Sequence, residues 1–361
     1  MNPTYFHTYR IAHEKFLEAT EQAHGKMDSL IHPLKGPEQE ELSLDVAQIG
    51  DPQAKRVLII SSGLHGAEAP FGSAVQLATL DYLKSNELPP DVRIILLHAL
   101  NPWGFAYGRR VDEQNIDGNR NFLSQGEPYL TEENQLYGQL DSFLNPKNQT
   151  QLQRSFLLQA ANLLVKHPYR KVLAAIASGQ HHFSQGLFYG GDSPNWTTRQ
   201  FTEYFSSWIG EATHCCHLDF HTGLGKYGQG ELLIDTALND STQLWLKTTF
   251  PAEVLRSHLK CQEPPYHSRG SINRWVMKNS SASNTLSVCA EFGTYSSLKM
   301  LKVMRAENYY THFDDANSKS YLVAKEKFKE AFCPSSIRWR QNVLEQSFKL
   351  VKLVIQKIHD W

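Results

Sequence analysis

The sequence predicts an α/β protein. Two short apolar runs, Lys55–Ile60 and Val92–Leu97, flank a stretch of helical pattern. Each run ends in a turn signal, Ser61-Ser62-Gly63 after the first and Asn101-Pro102 after the second. Strand, helix, strand in that order predicts parallel pairing. Apolar residues make up 41% of the 361 and charged residues 20%, which is ample for a buried core.

The first thirty residues are mixed and read as helical, with Gly36-Pro37 closing the region. Lys55–Ile60 is bounded and continuously apolar after its first two residues, as expected of a buried strand. Pro70 to Ser85 places Val75, Leu77, Leu80 and Leu83 in a helix with proline near its start. Residues 131–178 are rich in Leu, Gln and Ala and predict a helical insertion. His214–His221, Glu231–Asp235 and Thr285–Phe292 read as further strands. Leu344, Phe348, Val351, Ile355 and Ile358 recur at helical spacing, so residues 340–358 predict an amphipathic terminal helix. No linker divides the chain, and one elaborated domain over 1–361 is expected.

The charge balance excludes some partners. Lys plus Arg number 36 and Asp plus Glu 37. A near-neutral chain carries no global footprint for nucleic acid or an anionic membrane, and neither is expected as a partner. No apolar stretch approaches the ~20 residues that cross a bilayer. The opening residues lack the basic and apolar regions of a signal peptide. Five cysteines, Cys215, Cys216, Cys261, Cys289 and Cys333, are too few and too odd in number for a disulfide framework, so a cytoplasmic location is expected. The sequence does not define an oligomeric state.

Four segments carry chemistry. His65 and Glu68 follow the first strand at the only His-x-x-Glu spacing in the chain. Imidazole nitrogen and carboxylate oxygen are good Zn²⁺ donors, and Gly63 and Gly66 allow a tight turn between them. The bland alternative is a loop histidine and a glutamate favouring a helix start. Residues 101–122 form a polar loop after the second strand, where α/β sheets bind ligands. Its Arg109, Arg110 and Arg120 could grip a carboxylate, or could pair with Asp112, Glu113 and Asp117. His217, Asp219 and His221 share one strand face. His221 at the strand end is the best third ligand, and Asp219 could orient an imidazole. Cys215 and Cys216 point to opposite faces, which makes a thiolate site there poor geometry. Glu291 ends a very apolar strand, where a carboxylate needs a pair, a metal or the solvent rim.

Together and in order, these segments resemble the zinc carboxypeptidase superfamily. His65-x-x-Glu68 matches its first ligand pair, and Asp117-Gly118-Asn119-Arg120-Asn121-Phe122 its Asp-x-Asn-Arg-Asn-aromatic signature. Asp219-Phe220-His221-Thr222 looks like its third-ligand strand, and Glu291 falls where its glutamate base stands. Ser61–Gly66, Asn101–Phe105 and His221–Gly225 are more similar to a bacterial branch near succinylglutamate desuccinylase and aspartoacylase. The resemblance spans roughly residues 40–300. It implies a phosphorylase/hydrolase-like architecture, with a mixed, centrally parallel sheet and helices on both faces.

The resemblance also implies roles. His65, Glu68 and His221 would hold one Zn²⁺ per chain. Glu291 would take a proton from water, Arg110 or Arg109 would stabilise the oxyanion, and Asn119 and Arg120 would clamp a substrate carboxylate. The superfamily's mobile tyrosine is expected at Tyr266, with Tyr227 as the rival. The implied activity is amide hydrolysis beside a free carboxylate, on a small peptide. The alternatives are deacylation of an N-acyl amino acid, with residues 131–200 including His181 and His182 roofing the site, and metal binding without turnover. Ser296-x-x-Lys299 matches one serine-hydrolase motif, but neither Lys-Thr-Gly nor Gly-x-Ser-x-Gly accompanies it.

Overall fold

Seven strands build one sheet in the order β1-β2-β4-β3-β5-β7-β6 in the computed structural model, which describes residues 5–130, 134–255, 269–315 and 318–361. The strands are β1 (Lys26–Lys35), β2 (Glu41–Ile49), β3 (Arg56–Ser62), β4 (Val92–His98), β5 (His214–Tyr227), β6 (Gly230–Leu233) and β7 (Asn284–Gly293). The central strands β4, β3, β5 and β7 run parallel. β1, β2 and β6 add antiparallel edges. The sheet is therefore mixed and parallel at its centre, as expected.

The helices are α1 (Tyr9–Gln22), α2 (Ala69–Leu83), α3 (Pro102–Tyr107), α4 (Gln135–Leu144), α5 (Gln149–Gln153), α6 (Phe156–Lys166), α7 (Tyr169–Ser178), α8 (Trp196–Ile209), α9 (Asp240–Thr249), α10 (Ile272–Asn279), α11 (Ser297–Phe313), α12 (Lys319–Phe332) and α13 (Ile337–Lys357). Alternation along the central strands sends side chains to two cores. Leu58, Ile60, Leu218, Val288 and Phe292 pack with α1, α2 and α13 on one face. Val57, Ile59 and Cys215 pack with α8 and α10 on the other. β3 and β4 are buried almost throughout, which explains why both read as continuous apolar runs.

The opening region departs from the sequence expectation. The helix ends at Gln22, and residues up to Lys35 form β1. β1 is a mostly exposed edge strand, so it lacks the apolar alternation that marks a half-buried strand. Its partner β2 was also not anticipated, although Leu42, Leu44 and Val46 are all buried. The predicted strand at Glu231–Asp235 is β6, and it stops at Leu233. Residues 135–178 hold α4 to α7 around a small core of their own, with Tyr137, Leu140, Phe143, Phe156 and Val172. Among the described residues no helix is long and apolar enough to cross a membrane.

Strand order positions the site. β3 has β4 on one side and β5 on the other. The connection after β3 runs to β4 on one side and those after β5 run to β6 and β7 on the other, and the crevice this opens at the carboxyl ends is where α/β sheets bind ligands. β3 ends just before His65, and β5 and β7 carry His221 and Glu291 in register.

Candidate active site

The turn after β3 is built by two glycines, for different reasons. Gly63 adopts φ +69°, which a side chain would strain. Gly66 sits against α3, where an added Cβ would lie 1.9 Å from the Gly104 carbonyl carbon. The chain therefore tucks under α3, and a short 3₁₀ turn at Gly66–Glu68 brings Glu68 back toward His65.

His65, Glu68 and His221 converge, all buried, with one potential ligand atom from each within 4.8 Å of the others. His65 Nδ1 lies 2.8 Å from Glu68 Oε1, and His221 Nδ1 lies 3.0 Å from Glu68 Oε2. Both distal nitrogens are held by carboxylates. His65 Nε2 is 3.0 Å from Asp117 Oδ1, and His221 Nε2 is 2.5 Å from Asp219 Oδ2. A carboxylate behind each imidazole is how metal-ligating histidines are commonly oriented. The donor set thus fits a divalent ion such as Zn²⁺, with two imidazoles and one carboxylate.

Charges around the cluster balance closely. Burial alone would raise the Glu68 carboxyl, but His65 and His221 hold it below the usual carboxylate range. Asp117 is likewise buried, and Arg110 and then His65 keep it well down. Burial opposes a charge on His221, yet Asp219 and Glu68 raise it well above the ordinary value. A proton thus sits between His221 and its carboxylates. Metal binding would release it, since ligating imidazole must be neutral at the bound nitrogen.

Arg110 joins the cluster. Its Nη1 donates to Glu68 Oε1 at 3.0 Å and its Nε to Asp117 Oδ2 at 3.1 Å. Arg109, offered by the sequence for the same site, turns away. Its Nε donates to Glu307 Oε1 at 3.0 Å, and its Nη2 to Asn115 at 3.2 Å. That buried ion pair, 198 residues apart, ties the loop to α11 and had no local signal in the sequence.

Glu291 faces the cluster from β7, opposite His221. Its Oε1 accepts the Leu224 N–H at 2.8 Å. Burial, and then the charge of Glu68, push its carboxyl up to about 7. Asn119 and Arg120 lie in the 3₁₀ turn after Asp117. The Asn119 side-chain oxygen accepts the Ile272 N–H at 3.2 Å, at the first residue of α10. Arg120 is buried, donates to the Asn119 carbonyl at 2.8 Å and faces the Phe188 ring at 6.0 Å. Tyr266 lies outside the described residues. Tyr227 is 49% exposed and sits beside Tyr295 rather than in the cluster. Lys299 Nζ lies over the Tyr295 ring, and Ser296 takes the N-cap position of α11 without a side-chain capping bond. Cys215 and Cys216 are buried in the two opposite cores.

Two aromatic side chains flank the site without having been anticipated. The Arg110 guanidinium lies 5.8 Å from the Phe188 ring and 5.9 Å from the Phe332 ring. Phe188 belongs to a segment hydrogen-bonded to the signature loop, through Asp117 N to the Tyr189 carbonyl and Asn121 Nδ2 to the Gly190 carbonyl. His181 lies in the same layer, with Nδ1 2.6 Å from the Gly191 carbonyl.

Fold and site define an α/β protein with a buried His/Glu/His cluster at the carboxyl ends of its parallel strands. The chain belongs to the family described as a protein of unknown function (DUF2817), whose model matches residues 5–346. No curated protein sequence matches it. Among solved structures it is similar to bovine thrombin-activatable fibrinolysis inhibitor in complex with tick carboxypeptidase inhibitor, at 11% identity and TM-score 0.47, covering 97% of this chain and 98% of that one. Carboxypeptidase A from Helicoverpa armigera matches at 13% identity and TM-score 0.44, covering 95% and 74%. A metallo-carboxypeptidase from Pseudomonas aeruginosa matches at 13% identity and TM-score 0.46, covering 97% and 71%.

Proposed function

We propose that the protein is a zinc-dependent hydrolase that cleaves an amide bond next to a free carboxylate. One observation carries the reading: two imidazole Nδ1 atoms meet at one carboxylate, with a buried second carboxyl, Glu291, facing them. His65, Glu68 and His221 would hold the ion, which would supply Lewis acidity to polarise the scissile carbonyl and lower the pKa of water.

The chain's own residues do the rest. Burial and Glu68 raise the Glu291 carboxyl to about 7 in the metal-free protein, and from that place it would take a proton from water and give it to the leaving nitrogen. Leu224 N–H fixes Glu291 Oε1, and the weaker thiol donor Cys289 Sγ lies 3.7 Å from Oε2, the oxygen proposed for that transfer. Arg110 lies beside the ligands, where a guanidinium stabilises charge developing on the carbonyl oxygen. Arg120, which shares the Phe188 ring with Arg110, would fix the substrate's carboxylate together with Asn119, because a guanidinium pairs with it in two places. Tyr266 remains the proposed tyrosine.

A second reading, deacylation of a small N-acyl amino acid, is favoured by the apolar rings of Phe188 and Phe332 beside Arg110. The test is a screen of zinc-loaded protein against N-acyl amino acids and short peptides, each with a free or amidated carboxylate. Turnover of free acids with a strong loss of kcat/KM on amidation is expected, since a buried guanidinium then loses its partner. Equal turnover of both forms would overturn the carboxylate role of Arg120. Zinc binding without any hydrolysis would leave a metal-binding protein.

A further inference from the structure

The strand face that carries His221 also carries polar side chains that the proposed chemistry does not use. Ser61, His217, Asp219 and Ser287 are fully buried, and Asn273 nearly so. A buried polar group left unpaired is costly, so five of them side by side have to be mutually satisfied. Strand register brings them together, with Ser61 opposite Asp219 and Ser287 opposite His217.

Proton counting gives their hydrogen bonds one direction. Ser61 Oγ donates to Asp219 Oδ1 at 2.6 Å, and the other oxygen of that carboxyl faces His221 Nε2. Ser61 has one hydrogen and spends it there. It must then accept from His217 Nε2, 2.8 Å away. Burial pushes His217 down to about 4, so the ring is neutral and its single proton is on Nε2. His217 Nδ1 therefore accepts from Ser287 Oγ at 2.8 Å, and Ser287 in turn accepts from Asn273 Nδ2 at 3.0 Å. The chain runs from α10 through β7, β5 and β3, and ends where Asp219 Oδ2 meets His221 Nε2.

We propose that His217 is a positioning residue. Acting through Ser61 and Asp219, it holds His221 with a proton on Nε2 and with Nδ1 turned to the metal cluster. This rests on the metal-site reading above. The carboxylate behind His221 has one oxygen on the imidazole and the other on Ser61, so removing the serine hydroxyl frees it to rotate. Groups behind a metal-ligating histidine typically change metal affinity by ~10–100-fold when removed.

The experiment measures the zinc dissociation constant of the full chain by competition with a chromophoric chelator, alongside the melting temperature without metal. The proteins are wild type, Ser61→Ala, Ser61→Thr, His217→Ala and His65→Ala. Ser61→Ala and His217→Ala are expected to bind zinc ~10–100-fold more weakly while folded, and Ser61→Thr, which keeps a hydroxyl, to bind within about threefold of wild type. His65→Ala should lose binding and so show that the intended site is measured. If His217→Ala does not fold, Ser61→Ala decides, since it removes one oxygen. Zinc affinity within about twofold of wild type in Ser61→Ala would overturn the proposal, as would equal losses in both serine variants. A folded wild type that binds no zinc would instead overturn the metal reading itself, before any variant is compared.

Discussion

Replacing Glu291 by Gln should lower activity and raise the stability of the zinc-free protein, two effects of opposite sign from one atom. Glu291 is buried, and its Oε1 accepts the Leu224 N–H. The amide oxygen of Gln keeps that bond, so the fold survives. What is lost is the ability to accept a proton, which a positioned base typically uses to gain 10²–10⁴-fold, or roughly 3–5 kcal/mol. kcat should therefore fall at least ~100-fold with little change in KM. Stability moves the other way. Burial and Glu68 raise the carboxyl to about 7 from 4.5, a gap worth ~3 kcal/mol. A carboxyl raised on folding favours the folded state only while protonated. Its contribution is complete below its unfolded pKa and is lost as pH rises through about 7. Zinc-free Glu291→Gln should then melt higher than zinc-free wild type at pH 8, and close to it at pH 4. The assay is kcat on the zinc-loaded preparation and melting temperature at both pH values after chelation. Retained kcat, or a lower melting temperature at pH 8, would refute the reasoning and make Glu291 structural.

The two neighbouring arginines should separate cleanly. Arg109→Met strands the buried Glu307 carboxylate and should cost about 3–5 kcal/mol in denaturant titration, with kcat/KM of the folded fraction little changed. Arg110→Met should lower kcat by ~10²–10³-fold, as expected when an oxyanion donor is removed, while the folded protein keeps zinc. Away from the site, Asp45 is fully buried and accepts hydrogen bonds from Ser29, Ser43 and His13. Its hydrogen bond raises His13, whereas burial opposes ionisation of Asp45 and the histidines His13 and His98 override it. The raised histidine stabilises below its unfolded pKa of ~6.5 and loses that effect as pH rises through its folded value. The depressed carboxylate stabilises above ~3.9 and loses that effect as pH falls. His13→Ala should therefore be most destabilising between about pH 4 and 6.5, by about 2 kcal/mol. A melting-temperature difference that is flat with pH would contradict the pair.

What the sequence revealed, and what it hid, follows from range. The central strands were legible because burial on both faces leaves uninterrupted apolar runs, as in Val92–Leu97. β1 was not, because an exposed edge strand needs few apolar residues. His65 and Glu68 were legible as a pair because one turn holds both. His221 and Glu291 stood out as polar residues ending apolar strands. Their meeting depends on a sheet order that no local pattern states. The sequence left Arg109 and Arg110 equivalent. The partner that separates them, Glu307, is supplied by a helix 198 residues away. The Ser61–His217–Ser287 contacts were hidden for the same reason, since each crosses between strands.

The central claim is that His65, Glu68 and His221 form one zinc site, and metal content tests it most directly. Wild-type protein, reconstituted with zinc and passed through a desalting column, should hold close to one Zn²⁺ per chain by elemental analysis. His65→Ala and His221→Ala should each lose it while remaining folded, because two donors do not close a site that needs three. Full zinc content in both variants would contradict the account, and so would a folded wild type that retains none.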